Sequence, residues 1–432
     1  METASKLGHL MIVNNPWVKS LIDDFESIEM GDSGVGKITF QKFVVDKTES
    51  LKSIWAVDGS FVPVRSNPPT GKEVAFVKTA LMYIDFGEIS KLDQENPHPM
   101  LLQDIMKDSA IFHSTVFPLR NVKSSLGNNK DAIRNIVYHS LKQDQEGSFF
   151  ETLKWLVFKK WLNEKPNSPS FECPHCGELV EGFTFDSEEM LCSHCSNSLF
   201  LTDMIGFHLD MEEDSASDAV ASSYMLITET LMLFTPIRLL WGKNMLKFSN
   251  TLFIKDGPLT LRSQYAKFVP LIREFIEYTR QKGYPINLIG QEKTGVFRDH
   301  LSFIERFVSP KDNNEDPTYF VLTHEYVHKE VYRMDDLKNP YGKRTNYGEK
   351  VYVKVDPTTS LVLNIPTGTY NDNPHFPEPK HLLGLVKILS TLPGIISRSH
   401  EGALYPIELA NGIASLSNYP SAKILQNFIE TN

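Results

Sequence analysis

The four cysteines of the chain fall into one pattern, Cys173-Pro-His-Cys176 and Cys192-Ser-His-Cys195, with fifteen residues between the pairs. A CxxC turn lets two thiolates converge on one ion, and two such turns complete a tetrahedron around zinc. Four thiolates leave no coordination position open, so this chemistry is structural, that of a zinc ribbon.

Three acids stand out by their setting. Asp58 ends an apolar run before Gly59-Ser60, and Asp256 ends another before Gly257-Pro258. Glu229 lies within the apolar stretch YMLITETLMLF, where a lone charge is costly unless paired or bound to a metal. Acids delivered from strand ends can hold two divalent ions roughly 4 Å apart, an arrangement suited to phosphodiester hydrolysis. Magnesium and manganese, as hard ions, favour such oxygen ligands. By pattern alone, each Asp-Gly reads equally as a turn and Glu229 as an exposed helix residue. Asp85, closing the run YIDF, is a further candidate carboxylate.

Two other motifs carry weaker chemistry. Gly31-Asp-Ser-Gly-Val-Gly36-Lys37 matches most of a phosphate-binding loop, but Ile38 stands where a magnesium-binding hydroxyl belongs. The preceding DDFESIEM is not the buried strand that launches such a loop, so a glycine-rich surface turn is the better reading. His324-Glu325-Tyr326-Val327-His328 matches HExxH, which on a helix would bind zinc with Glu325 as general base. Here a strand runs into the motif, and a third ligand would have to come from as far away as Glu349. A zinc metalloprotease is the third functional reading.

The elements that must position these residues alternate between strand and helix. Short strands are expected at 54–57, 79–86, 251–255, 286–289, 319–323, 350–355 and 361–365. Helices are expected across 100–162 and at 219–241, 265–282, 296–308, 381–390 and 407–416. Interleaving of this kind predicts an α/β core. The 432 residues, 41% hydrophobic and 23% charged, suit a globular chain of one large or two medium domains. A net charge of −10 argues against a uniformly basic nucleic-acid surface. It leaves room for a local groove from 262–298 and 329–354, with Lys343 beside Arg344. The N-terminus does not read as a signal peptide, and no apolar run is expected to approach the roughly 20 residues of a membrane span. A cytoplasmic protein without membrane contact is expected.

The succession AVDGS (56–60), TETLMLF (228–234), FIKDGPL (253–259), IGQEKTG (289–295) and YPIELAN (405–411) resembles the NurA nuclease family. The resemblance spreads over 50–416, interrupted by the cysteine segment. It implies an RNase H-like fold, a homodimer, and manganese or magnesium in a site that degrades DNA together with a hexameric HerA-type ATPase. It also implies Asp58 and Asp256 as principal metal ligands, Glu229 as the third acid and Lys293 as a phosphate contact. Family members often close with a tyrosine and a histidine eight residues apart. Ala403 and Asn411 stand at those places here, with Tyr405 nearby, and the neutral Asn411 amide is a weaker ligand than a histidine.

The expected architecture is therefore α/β, with an RNase H-like core and an inserted four-cysteine zinc ribbon. Residues 1–50 form a lead-in, 51–165 and 204–432 a discontinuous nuclease domain, and 166–203 the ribbon. The expected function is metal-dependent DNA hydrolysis by a two-metal mechanism, in DNA end processing or phage defence. Asp58, Glu229, Asp256 and Asn411 form the site, and Lys293, Lys343 and Arg344 contact DNA. The alternative is a catalytically weak subunit that binds DNA or the ATPase.

Overall fold

The computed structural model describes residues 14–24, 38–69, 71–93, 98, 100, 105, 109–143, 147–211, 218–305, 317–334, 340–370, 377–398, 402–416 and 421–431. The glycine-rich segment 31–37 lies outside them. The strands are β1 (Gln41–Lys42), β2 (Ser53–Arg65), β3 (Glu73–Asp85), β4 (Ala110–Arg120), β5 (Phe171–Glu172), β6 (Leu179–Val180), β7 (Glu189–Leu191) and β8 (Ser198–Phe200). They continue with β9 (Thr251–Asp256), β10 (Asn287–Glu292), β11 (Thr318–Val321), β12 (Glu349–Asp356) and β13 (Thr359–Ile365).

Nine of these strands make one mixed sheet in the order β4-β3-β2-β9-β10-β13-β12-β11-β1. β2, β9 and β10 run parallel, while β3 is antiparallel to both of its neighbours. The parallel β2–β9 pairing ends at Val57 opposite Lys255.

Helices cover both faces, as a sheet containing parallel strands requires. One face carries α1 (Asn129–Gln143), α2 (Ser148–Val157), α3 (Asp218–Leu240) and α4 (Val269–Gln281). Trp55, Val57 and Phe253 point into that layer. The next helix, α5 (Val296–Ile304), packs with Tyr352 and Val362. The other face carries α6 (Leu385–Thr391) and α7 (Tyr405–Ala414), packed on Ile54, Ala56, Leu252 and Ile254. The period-two alternation of these residues is the expected signature of strands buried on both sides.

Three expectations need correction. The tract 100–162 is not helical throughout, because β4 occupies Ala110–Arg120 and pairs along β3. Its sequence, AIFHSTVFPLR, alternates inward and outward residues with β-branched and aromatic enrichment, which suits an edge strand. The stretch Ala219–Leu240 is long and apolar enough to cross a bilayer by length and composition. Its apolar 18-residue window is 83% buried within the protein, as a core helix is. Asp85 lies at the end of β3, well away from the level of Asp58 in mid-strand: Ser53 faces Asp85 in register, whereas Asp58 faces Ala80. Five residues of strand separate the two levels, about 17 Å. Asp85 instead caps a short helix, accepting from the Gly87 amide at 2.8 Å.

Candidate metal centres and active site

The four cysteines meet at the tips of two small hairpins, β5–β6 and β7–β8. Their sulfurs all lie within 4.8 Å of one another. Cys173 and Cys195 are 3.8 Å apart, as are Cys176 and Cys192. With Zn–S bonds of about 2.3 Å, a tetrahedral edge is about 3.8 Å, so the cage fits zinc. The amides of Cys195 and His194 point at Cys192 and lower its thiol to about 6, while burial pushes Cys173 up to about 12. This group could hold zinc.

The hairpins are not suspended from a linker. Phe171, Cys173, Val180, Phe183, Cys192 and Leu199 belong to the same buried cluster as α1, α2 and α3. Arg134 of α1 is 4% exposed. It makes two parallel bonds to Asp203, at 2.8 and 2.7 Å, and donates to Ser198 O at 2.9 Å. It also reaches His175 Nε2 at 2.8 Å, inside the first CxxC turn. Tyr138 stacks on Phe200 with ring centroids 4.5 Å apart.

The two aspartates stand where the parallel pairing of β2 with β9 ends, Asp58 inside β2 and Asp256 closing β9. Asp58 and Asp256 each follow the last paired residues of β2 and β9, Val57 and Lys255. Alternation sends both carboxylates to the α7 face. Asp58 is 4% exposed. Its Oδ1 accepts from the Gly59 amide at 2.7 Å, whereas Oδ2 is buried without a hydrogen-bond partner among the described residues. Burial, and then the charge of Asp256, push this carboxyl up to about 7. Glu229 adds to the rise; the nearby Asn411 amide and Lys293 oppose it. A buried oxygen without a donor, beside a second carboxylate, is suited to a divalent cation.

Glu229 comes from α3, on the opposite layer. Its Oε2 is 2.7 Å from Lys255 Nζ, and both side chains are almost fully buried. Burial alone would lower the Lys255 ammonium, but Glu229 outweighs it and lifts Lys255 above the usual lysine range. Lys255 also donates to the Asp256 carbonyl at 2.9 Å. Lys293, at the end of β10, reaches Asp256 Oδ1 at 3.2 Å and is partly exposed. Lys343 and Arg344 sit in an exposed turn. That turn is tied to the loop after Asp256 through Thr345 O, which accepts from the Leu261 amide at 3.0 Å. Tyr405 and Ala403 are buried, and the Tyr405 hydroxyl donates to Asp93 O, away from the acids.

The HExxH residues form a different arrangement from a metalloprotease site. The helix spans only His324–Tyr326 before giving way to a π turn. His324 Nε2 is 2.8 Å from Glu349 Oε2, and Glu325 turns outward to Lys329 at 2.6 Å. Among the described residues, the cysteines are the only group of three or more His, Cys, Asp or Glu residues whose ligand atoms all lie within 4.8 Å. Asp58, Glu229 and Asp256 are therefore spaced more openly than that limit.

Sequence reasoning overlooked Lys255 and the need for glycine at position 59. Lys255 had a signal equal to that of Glu229: a lone charge in the apolar run TLFIK. Each lone charge is the other's partner.

No protein-family model matches the chain, and no curated protein matches it in sequence. Among solved structures, the crystal structure of the NurA nuclease from Sulfolobus solfataricus is similar over 99% of this chain and 97% of that one. The identity is 10% and the TM-score 0.38.

Proposed function

We propose that this chain is a metal-dependent nuclease that hydrolyses DNA phosphodiesters, with Asp58 and Asp256 holding the divalent cation. The observation that carries this reading is the buried Asp58 Oδ2, without a hydrogen-bond partner among the described residues, beside Asp256 where the pairing of two parallel strands ends. Manganese or magnesium there would supply Lewis-acid polarisation of a phosphoryl oxygen and a readily deprotonated water. Lys293 neutralises part of the carboxylate charge and is accessible to a phosphate oxygen. Lys343 and Arg344 would extend that contact along the DNA backbone. Asn411 would orient the Asp58 carboxyl or lend its amide oxygen.

The strand order β4-β3-β2-β9-β10, with β3 alone antiparallel, supports an RNase H-like core. In it Asp58 stands on the first strand, Glu229 on the helix before the fourth and Asp256 at the end of the fourth. The zinc ribbon is a structural element of this core, within the division 51–165, 166–203 and 204–432. A homodimer working with a hexameric HerA-type ATPase, in DNA end processing or phage defence, is the context that the sequence resemblance suggests.

The test is degradation of linear and circular DNA by the purified chain with manganese, with and without such an ATPase. Asp58→Ala should abolish cleavage while the protein stays folded. Cleavage undiminished in that variant would refute the assignment. A second reading, a DNA- or ATPase-binding subunit with little activity, is favoured by the neutral amide at Asn411. It predicts DNA binding without cleavage by the unaltered chain under all these conditions.

A further inference from the structure

Resting on the nuclease reading above, we infer that the Lys255 ammonium is a built-in cation that takes the place of a second metal ion at Glu229. The site then takes one divalent ion, at Asp58 and Asp256, rather than two.

The first argument is contact. Lys255 is 2% exposed, and its Nζ lies 2.7 Å from Glu229 Oε2 and 2.9 Å from the Asp256 carbonyl. It is enclosed on the strand and cannot swing to solvent as a surface lysine does. Freeing Glu229 for a metal would leave a buried ammonium without its counter-charge, an arrangement that proteins strongly disfavour.

The second argument is direction. Lys255 projects toward α3, on the side of Phe253, whereas Asp58 and Asp256 project toward α7, on the side of Ala56 and Ile254. The Glu229–Lys255 pair and the paired aspartates thus approach from opposite faces of the sheet, with Glu229 still near enough to raise the Asp58 carboxyl. Consistent with this, the three carboxylates do not close to within 4.8 Å of one another. Glu229 Oε1 is packed against Gly59, which holds the carboxylate in this orientation.

The third argument is charge. Asp58, Glu229 and Asp256 in their ionised forms carry three negative charges, and Lys255 and Lys293 return two positive ones. One divalent cation and one phosphodiester then bring the site to neutrality. A second divalent cation would leave these five side chains and the phosphodiester with an excess of two positive charges in a largely buried place.

The experiment is a manganese titration of the zinc-loaded full chain, followed by electron paramagnetic resonance and calorimetry. It is run with and without an oligonucleotide blocked by phosphorothioates. One manganese per chain in both conditions, lost in Asp58→Asn, is the expected result. Two per chain would overturn the role of Lys255 while leaving the nuclease reading standing. No manganese binding, together with no manganese-dependent cleavage, would overturn both.

Two variants sharpen the test. Lys255→Ala should free Glu229 and raise the count from one to two; a count that stays at one in a folded variant overturns the inference. The double variant Glu229→Gln with Lys255→Met removes both buried charges together. It should fold and keep one manganese with affinity within about threefold of the unaltered chain. A loss of more than about a hundredfold would make Glu229 a metal ligand and end the proposal.

Discussion

Glu229 Oε1 lies 2.7 Å from the point where a Cβ on Gly59 would stand, and Met225 Cγ lies 2.6 Å from it. The glycine of the first Asp-Gly pair is therefore not a turn residue. It sits within a thirteen-residue strand and clears the space through which α3 brings its acid against β2.

Gly59→Ala should consequently push α3 or Glu229 away from the strand. Overpacking of this kind costs about 1–3 kcal/mol. Denaturant unfolding should report that loss, and cleavage should fall at least about tenfold because the strained strand shifts the adjacent Asp58. A variant with unchanged stability and activity would show that the contact is readily relieved.

The Asp58 carboxyl makes the ion-free protein sensitive to pH. Its folded value, about 7, lies above the ordinary 3.8, so the native state keeps a proton that the unfolded chain has released. Stability attributable to this group is then present below about pH 4 and is lost as pH rises toward 7. Asp58→Asn should remove that slope, read as the difference in melting temperature between the two proteins from pH 5 to 8.

Cation binding has the opposite dependence, because the proton must leave. Apparent manganese affinity should rise about tenfold per pH unit up to about 7 and then level off. A flat calorimetric profile from pH 5.5 to 7 would contradict the raised Asp58 carboxyl.

The ribbon shares its buried cluster with the main helices, so zinc should stabilise the whole chain. Cys176→Ser should lose zinc and lower the melting temperature of the single cooperative transition, not merely unfold a small module. Metal analysis and calorimetry check this. Two separate transitions would indicate an independent ribbon.

Arg134 is the main polar tie between helix and ribbon. Arg134→Met leaves Asp203 buried without its partner, and breaking a buried pair from one side costs about 3–5 kcal/mol. Equilibrium unfolding measures it, and a loss under 1 kcal/mol would mean that water or His175 replaces the guanidinium.

Lys343 and Arg344 make a claim about DNA alone. Replacing both with alanine should weaken binding equally across sequences and reduce the salt dependence of the affinity, each lost phosphate contact lowering the slope by about one. Unchanged binding at several salt concentrations would remove this turn from the interface.

Much of this was legible from local pattern. The two CxxC turns announce their own chemistry because four soft ligands at fixed spacing have few other uses. The strands at 251–255, 350–355 and 361–365 are recognisable as apolar runs, and each meets a strand in the fold. The edge strand β4 was hidden in a tract whose surroundings have helical spacing, since a partner such as β3 is what stabilises an alternating segment as a strand.

Composition and spacing thus determined the zinc cage, the α/β class and the suspicion attached to Asp58, Glu229 and Asp256. Only the tertiary structure decided that Asp85 belongs to the end of β3, well away from Asp58, and that Glu229 answers Lys255 across a glycine. It also decided that His324 pairs with Glu349, and that among the described residues this motif gathers no three ligand atoms within 4.8 Å of one another. The reason is physical: residue type and near neighbours set what a side chain can bind, but strand direction and register set which distant side chains reach it.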